Sequence, residues 1–138
     1  MTTLVVDSSA IIAIVEAEPE ATALIATLGR SSVSVCSMVT FVESFMVSTR
    51  RNADVPVSLH ATLLADLGIE SVPLDQNQGR LAAEAFLRFG KGRHPAKLNL
   101  GDCFSYALAK SLGAPLLYKG GDFGLTDIAS ALDAGARP

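Results

Sequence analysis

The chain has 138 residues, of which 49% are hydrophobic and 18% are charged. This length fits one compact domain over residues 1–138 and leaves no room for a second. No apolar run approaches the roughly 18 residues of a membrane helix, and the amino end lacks the basic start and cleavage signal of a secretory peptide. We therefore expect a cytoplasmic protein without a membrane partner.

The net charge of −3 argues at first against a polyanionic partner. The basic residues are unevenly distributed, however, and if four acids belong to one metal site, ten acids remain against 11 basic residues. One basic segment fits a solvated helix face and a phosphate-contacting strip equally well. Its members are Arg80, Arg88, Lys91, Arg93 and Lys97.

Short β-prone runs alternate with helical segments along the chain. The predicted strands are 3–6, 33–35, 69–74 and 116–118, and the predicted helices are 10–15, 19–29, 38–51, 55–67, 75–89, 101–112 and a short one from 122. Segment 90–95 is rich in glycine, proline and basic residues, which predicts a loop and the most mobile element. Gly113 and Pro115 should end the 101–112 helix.

This alternation predicts an α/β fold with a parallel sheet covered by helices on both faces and right-handed crossovers. Such sheets place their sites where strands end and helices begin. Asp7 and Asp122 both fall at or just beyond predicted strand ends. Cys36 and Cys103 lie in apolar segments without metal-ligand spacing, so we expect reduced core residues rather than a disulfide.

Several acids fall at positions where a carboxylate has either a structural or a chemical role. Asp7, Asp102 and Asp122 precede or open helices, so capping alone would explain them. Glu43 differs, because it shares a helix face with apolar residues that predict burial: Val39, Met46 and Val47, flanked by Val42 and Phe45. A buried carboxylate requires a compensating cation. A metal ion is favoured over a buried salt bridge, because Arg50 and Arg51 lie about two turns farther along.

Three or four carboxylates at one sheet edge repel one another, and a divalent cation reverses this effect. Hard oxygen ligands without cysteine or histidine favour Mg²⁺ or Mn²⁺ over zinc or copper. His60 and His94 have no predicted partner that would make either a general acid or base.

Three motifs follow one another in a specific order: Asp7-Ser8-Ser9-Ala10 after the first strand, LGDCFSYALAK from Leu100, and LLYKGGDFGLTDI from Leu116 to Ile128. Together they resemble the PIN domain, and within it the VapC toxins of type II toxin–antitoxin systems. The resemblance covers Leu4 to Ile128 and implies a PIN-like fold, a central parallel sheet flanked by helices on both faces. Asn99 and Gly121 depart from the family's usual residue types, but neither is a proposed ligand.

The resemblance also implies a site and an activity. Its catalytic metal ligands are Asp7, Glu43, Asp102 and Asp122, with Ser9 supporting the first ligand and Asp127 as an auxiliary candidate. The implied reaction is Mg²⁺- or Mn²⁺-dependent hydrolysis of RNA by a metal-bound water, which leaves a 5′-phosphate. The implied partners are a VapB-type antitoxin laid across the active-site groove and a second toxin copy in a homodimer, within a larger assembly.

Three alternatives remain at this stage. The same chemistry could cleave DNA. A non-catalytic PIN-fold binding module is disfavoured by the four intact acids. A receiver-like signalling domain would use Lys119 after a late strand, but it predicts an early acidic pair where this chain has Asp7-Ser8-Ser9. The apolar segments 10–15 and 55–67 predict either an exposed apolar groove or additional core.

Overall fold

In the computed structural model the described residues are 2–132. The elements in chain order are β1 (Thr3–Val6), α1 (Ser8–Val15), α2 (Ala21–Arg30), β2 (Val33–Ser37), α3 (Met38–Ser48), α4 (Val57–Asp66), β3 (Ile69–Val72), α5 (Gln76–Phe89), α6 (Leu100–Leu112), β4 (Leu116–Leu117) and a 3₁₀ helix (Phe123–Leu125). The strands form one parallel sheet in the order β3-β2-β1-β4. The predicted α/β class and parallel sheet are confirmed.

The alternation of side chains along the strands divides the apolar residues between two cores. Leu4 and Val6 of β1 belong to a core that also contains residues of α1, α2 and α4. Val5, between them, belongs to a second core with residues of α5 and α6. Leu116 and Leu117 of β4 are divided in the same way. The sheet therefore buries both faces, as parallel sheets do, and the three-layer arrangement is confirmed.

Four helices begin with a side-chain cap, which fixes where each one starts. Asp7 caps α1, Ser37 caps α3 and Asp75 caps α5. At the start of α6 the capping is reciprocal: Asn99 Oδ1 accepts from the Asp102 N–H at 2.9 Å, and the Asn99 N–H donates to Asp102 Oδ2 at 3.1 Å. Asp7 and Asp102 thus have the structural role that the sequence suggested, in addition to any chemical one.

The end of α6 also follows the prediction, and the 90–95 segment is a loop whose two ends are joined by backbone hydrogen bonds. Gly113 takes a left-handed conformation with φ of 61° and ends α6 ahead of Pro115. In the loop, the Lys91 N–H donates to the Leu98 carbonyl at 3.0 Å, and the Leu98 N–H donates to the Phe89 carbonyl at 3.0 Å. These bonds hold the two ends of the loop together.

Two further features of the described residues bear on the expectations from sequence. Cys36 and Cys103 are free and buried, which confirms the prediction of reduced core residues. No helix within residues 2–132 is both long and apolar enough to cross a membrane.

Candidate active site

Four acids come from four different parts of the fold, each next to the carboxyl edge, the edge of the sheet at which the parallel strands end. Asp7 directly follows β1 and is 2% exposed. Glu43 lies in α3, which begins where β2 ends, and is half-buried. Asp102 lies in the first turn of α6, and Asp122 precedes the 3₁₀ helix beyond β4.

The pKa of Asp102 depends on the charges of the other three acids. The pKa of Asp102 is raised from 3.8 to about 6 in total, with burial as the largest cause and the Asn99 N–H opposing the rise. The negative charges of Asp7, Glu43 and Asp122 each raise the pKa of Asp102 further. Asp102 is therefore close enough to the other three acids for each of their charges to disfavour its ionised form, as expected where a cation would offset the repulsion.

Asp7 is oriented by donors on both of its oxygens. The Ser9 N–H donates to Oδ2 at 3.0 Å, and the Ser105 hydroxyl donates to Oδ1 at 2.6 Å. Ser105 is fully buried, and its oxygen lies 3.3 Å from Thr40 Oγ1. A short bond from a buried hydroxyl to a carboxylate is among the stronger neutral-to-charged hydrogen bonds, so α6 fixes the orientation of Asp7.

Glu43 receives a hydrogen bond at 2.7 Å from the hydroxyl of Ser8, the residue after Asp7. The predicted burial of its helix face is wrong. Val42 is 50% exposed and Met46 is 62% exposed, whereas the buried residues of α3 are the small polar Thr40 and Ser44. The apolar face of α3 instead lines an open groove of about 630 Å³ that includes Glu43.

The salt-bridge alternative for Glu43 finds no support. Arg51 pairs with Glu16 at 3.9 Å, and within residues 2–132 no lysine, arginine or histidine lies within ion-pair distance of Glu43. A half-buried carboxylate whose charge acts on Asp102 and that lacks a basic partner is the kind of group that a metal ion stabilises.

The chemistry of these donors fits a hard divalent cation, since all four proposed ligands are carboxylates. In the described part of the chain, however, no three Asp, Glu, His or Cys side chains are already arranged to hold a metal ion. Mutual repulsion opposes closer approach of four like charges when no cation lies between them. A bound divalent cation would offset this repulsion and favour the approach of the four carboxylates.

The two auxiliary candidates differ in their surroundings. Ser9 contacts Asp7 through its backbone N–H, while its hydroxyl accepts from the Lys119 N–H at 3.0 Å. Asp127 is engaged elsewhere: it accepts from the Tyr106 hydroxyl at 2.6 Å and lies 2.8 Å from Lys110 Nζ. These contacts lower the pKa of Asp127 against the opposing effect of burial. The structure thus gives Asp127 an ion-pairing role on the outer side of α6.

Lys119, the residue on which the receiver-like alternative depended, also has a partner of its own. Its Nζ lies 2.6 Å from Glu18 Oε1 and 3.7 Å from Glu20 Oε2. The side chain therefore ties the segment after β4 to the turn between α1 and α2, and it is held by these acids instead of by the carboxylate cluster.

All five basic residues of the candidate RNA strip are exposed. Two of them are partly engaged: Arg88 lies 3.6 Å from Asp127 and 4.7 Å from the centre of the Phe89 ring, and Arg93 donates to the Leu87 carbonyl at 3.3 Å. Among the described residues, no ion pair involves Arg80, Lys91 or Lys97.

The expected apolar groove is present between α1, α3 and α4, as a cavity of about 330 Å³. Its apolar lining is Ile11, Ile12, Val15, Val47, Val55, Leu59 and Leu63. His60 borders this cavity, is 3% exposed, and has its Nε2 2.9 Å from Ser44 Oγ. Burial lowers the pKa of His60, which favours the neutral ring and agrees with a structural role.

Comparison with known proteins places this site in context. A sequence model of the PIN domain matches residues 4–129. Ribonuclease VapC42 of Mycobacterium tuberculosis (strain H37Rv) is 45% identical over 129 residues, covering 93% of this chain and 98% of that protein. Ribonuclease VapC of Mycolicibacterium smegmatis is 40% identical over 132 residues, covering 92% and 98%.

Two solved structures share the fold at lower sequence identity. Mycobacterium tuberculosis VapC20, described as a sarcin-ricin loop cleaving toxin, has a TM-score of 0.74 at 17% identity and covers 98% of this chain and 99% of its own. A chain of a toxin–antitoxin complex from Klebsiella pneumoniae has a TM-score of 0.64 at 18% identity, covering 87% and 89%. At 17% and 18% identity, these two matches show a shared fold.

Proposed function

The chain belongs to the PIN-domain family and, within it, to the VapC ribonucleases of toxin–antitoxin systems, and from this premise we propose that it is a toxin that cleaves RNA with Mg²⁺ or Mn²⁺. The proposed ligands are Asp7, Glu43, Asp102 and Asp122. The observation that carries the proposal is electrostatic: three of these acids raise the pKa of the fourth, although they come from four separate elements.

Asp7, Glu43, Asp102 and Asp122 would hold the divalent cation, which when bound would supply Lewis-acid chemistry for the phosphodiester and for activation of water. The chain's own residues supply the orientation. Ser105 and the Ser9 N–H hold the two oxygens of Asp7, and the Asn99 N–H holds one oxygen of Asp102. Both acids are therefore fixed before substrate arrives, which reduces the reorganisation needed for catalysis.

We propose that the RNA backbone follows the exposed basic strip on α5 and the loop after it. Lys91 lines a cavity together with Asn99 and Leu100 at the start of α6. Cations along this path would attract the polyanionic substrate and offset the net negative charge of the chain. Arg80 and Lys97, which precede and follow Lys91 in the chain, are also exposed.

The test uses matched RNA and DNA oligonucleotides with the metal-free protein. We expect cleavage of RNA on addition of Mg²⁺ or Mn²⁺, with 5′-phosphate ends detected by ligation sequencing, and loss of cleavage with EDTA. Cleavage of DNA but not of RNA would contradict the proposed substrate, and full RNA cleavage in EDTA would contradict the metal requirement.

We also propose a VapB-type antitoxin as partner and a homodimer as the toxin's own assembly. An apolar antitoxin segment would fill the groove between α1, α3 and α4, which otherwise leaves an apolar cavity open to solvent. The exposed Val42, Met46, Leu74 and Leu100 beside Glu43 offer a separate face for a second copy. Light scattering of the chain alone and after co-expression with its operon neighbour tests both: a monomer in both samples would contradict them.

A further inference from the structure

The carboxylate of Glu43 lies between Ser8 and Gly101, which come from α1 and α6. On one side, the hydroxyl of Ser8 donates to Oε1 at 2.7 Å, and Ser8 is 7% exposed. On the other side, the carboxylate packs against the backbone of the buried Gly101. Ser8 follows Asp7 and Gly101 precedes Asp102, so each neighbour of Glu43 is also the neighbour of another acid.

The Glu43 carboxylate occupies the space that a side chain at Gly101 would need. A Cβ at this position would lie 2.5 Å from Glu43 Oε1 and 2.7 Å from its Cδ, and closer still to Oε2. Ordinary van der Waals contact begins at about 3.4 Å, so a methyl group would displace the carboxylate by about 0.9 Å. Conformational freedom is not the reason for this glycine, because it lies in the regular helix α6 without a positive φ.

We propose that Ser8 and Gly101 are positioning residues that set the Glu43 carboxylate for metal binding. Ser8 supplies the hydrogen bond that orients the carboxylate, and Gly101 supplies the space in which it lies. Neither residue is a ligand. This inference rests on the proposed function, because it concerns the metal site at which that function takes place.

The main experiment measures Mn²⁺ affinity of the metal-free full chain by titration calorimetry, together with the melting temperature in EDTA. Gly101→Ala should bind Mn²⁺ about 10- to 100-fold more weakly, the usual loss when a ligand's supporting contact is disturbed. Its melting temperature should be unchanged or higher, because alanine has a higher helix propensity than glycine. The Glu43 side chain is flexible, so its carboxylate can move away from the added methyl group. RNA cleavage should fall by about 100-fold.

Gly29→Ala is the matched control, because Gly29 is also helical and an added Cβ there would meet nothing within 4 Å. Its Mn²⁺ affinity and cleavage should equal those of the unmodified chain. A second pair tests the hydrogen bond: Ser8→Ala should bind Mn²⁺ about 10-fold more weakly, and Ser8→Thr, which keeps the hydroxyl, should restore most of that loss.

The outcomes separate the inference from the function on which it rests. If the unmodified chain binds Mn²⁺ and Gly101→Ala binds it within twofold as tightly, the positioning role is wrong while the metal site stands. Equal losses in Ser8→Ala and Ser8→Thr would likewise overturn the role of the hydroxyl. If the unmodified chain binds no Mn²⁺ at all, the proposed function itself fails.

Discussion

Replacing Asp102 with asparagine should stabilise the metal-free protein while abolishing cleavage. The folded protein disfavours the charged form of this carboxylate. Burial has the largest effect and the charges of Asp7, Glu43 and Asp122 add to it, so that its pKa rises from 3.8 to about 6. Asparagine removes the charge and keeps the shape. Its amide oxygen can still accept the Asn99 N–H, so the cap of α6 is retained.

The size of this effect follows from the raised pKa of Asp102. At about 1.4 kcal/mol for each pKa unit, the rise from 3.8 to about 6 corresponds to about 3 kcal/mol. Since Asp102 is partly exposed, screening by water reduces this to about 1–2 kcal/mol. The melting temperature should therefore rise by roughly 3–6 °C for a chain of this length.

The effect should depend on pH with a definite sign. Because the folded chain binds the Asp102 proton more tightly than the unfolded chain, the free energy of unfolding falls as pH rises from about 4 to about 6. The gain from Asp102→Asn should thus be complete above pH about 6 and absent below pH about 4. Thermal unfolding in EDTA at pH 4, 6 and 8 measures it, with the exposed Asp54→Asn as control. An unchanged or lower melting temperature at pH 8 would refute the electrostatic reasoning.

Three further variants test other parts of the structure. Asp7→Asn should abolish RNA cleavage, and full activity would exclude Asp7 as a ligand. Burial lowers the pKa of His60, so the unmodified chain should lose stability as pH falls below 6.5, and this part of the pH dependence should be absent in His60→Gln. Asp127→Asn should lose about 1 kcal/mol of stability, because its pairs with Lys110 and Tyr106 are partly exposed, and should keep cleavage within threefold. Loss of cleavage in Asp127→Asn would assign that residue to the site after all.

The fold was largely accessible from sequence because its signals are local. Strand and helix periodicity gave the alternation of elements, and Gly113 and Pro115 marked the end of α6. The last strand is shorter than predicted, since β4 contains only Leu116 and Leu117 and the chain turns at Gly120 with φ of 99°. Capping likewise depends on neighbours within a few residues.

The surroundings of Glu43 were not accessible because they depend on tertiary packing. Periodicity placed Val42 and Met46 in the core, yet α3 packs inward through Thr40 and Ser44. Small polar residues permit close approach of neighbouring helices and have their own hydrogen-bond partners, a preference that hydrophobic patterning does not detect. The apolar side chains then lie in an open groove.

The residues that orient the acids were missed for a related reason. Ser105 contacts Asp7 across 98 positions in sequence, and Ser8 contacts Glu43 across 35. Neither serine lies at a spacing that indicates such a partner. The nearest sequence signal was the presence of both serines, and of Gly101, inside the motifs that resemble the PIN domain.

The central claim is that four carboxylates bind a divalent cation on which RNA cleavage depends. Its most direct test is the Mg²⁺ dependence of cleavage measured in parallel for the unmodified chain and Asp102→Asn after exhaustive removal of metal. We predict a saturable rise in rate with Mg²⁺ for the unmodified chain and none for the variant. A rate that is independent of Mg²⁺, or a variant that responds as the unmodified chain does, would contradict the assignment of this site.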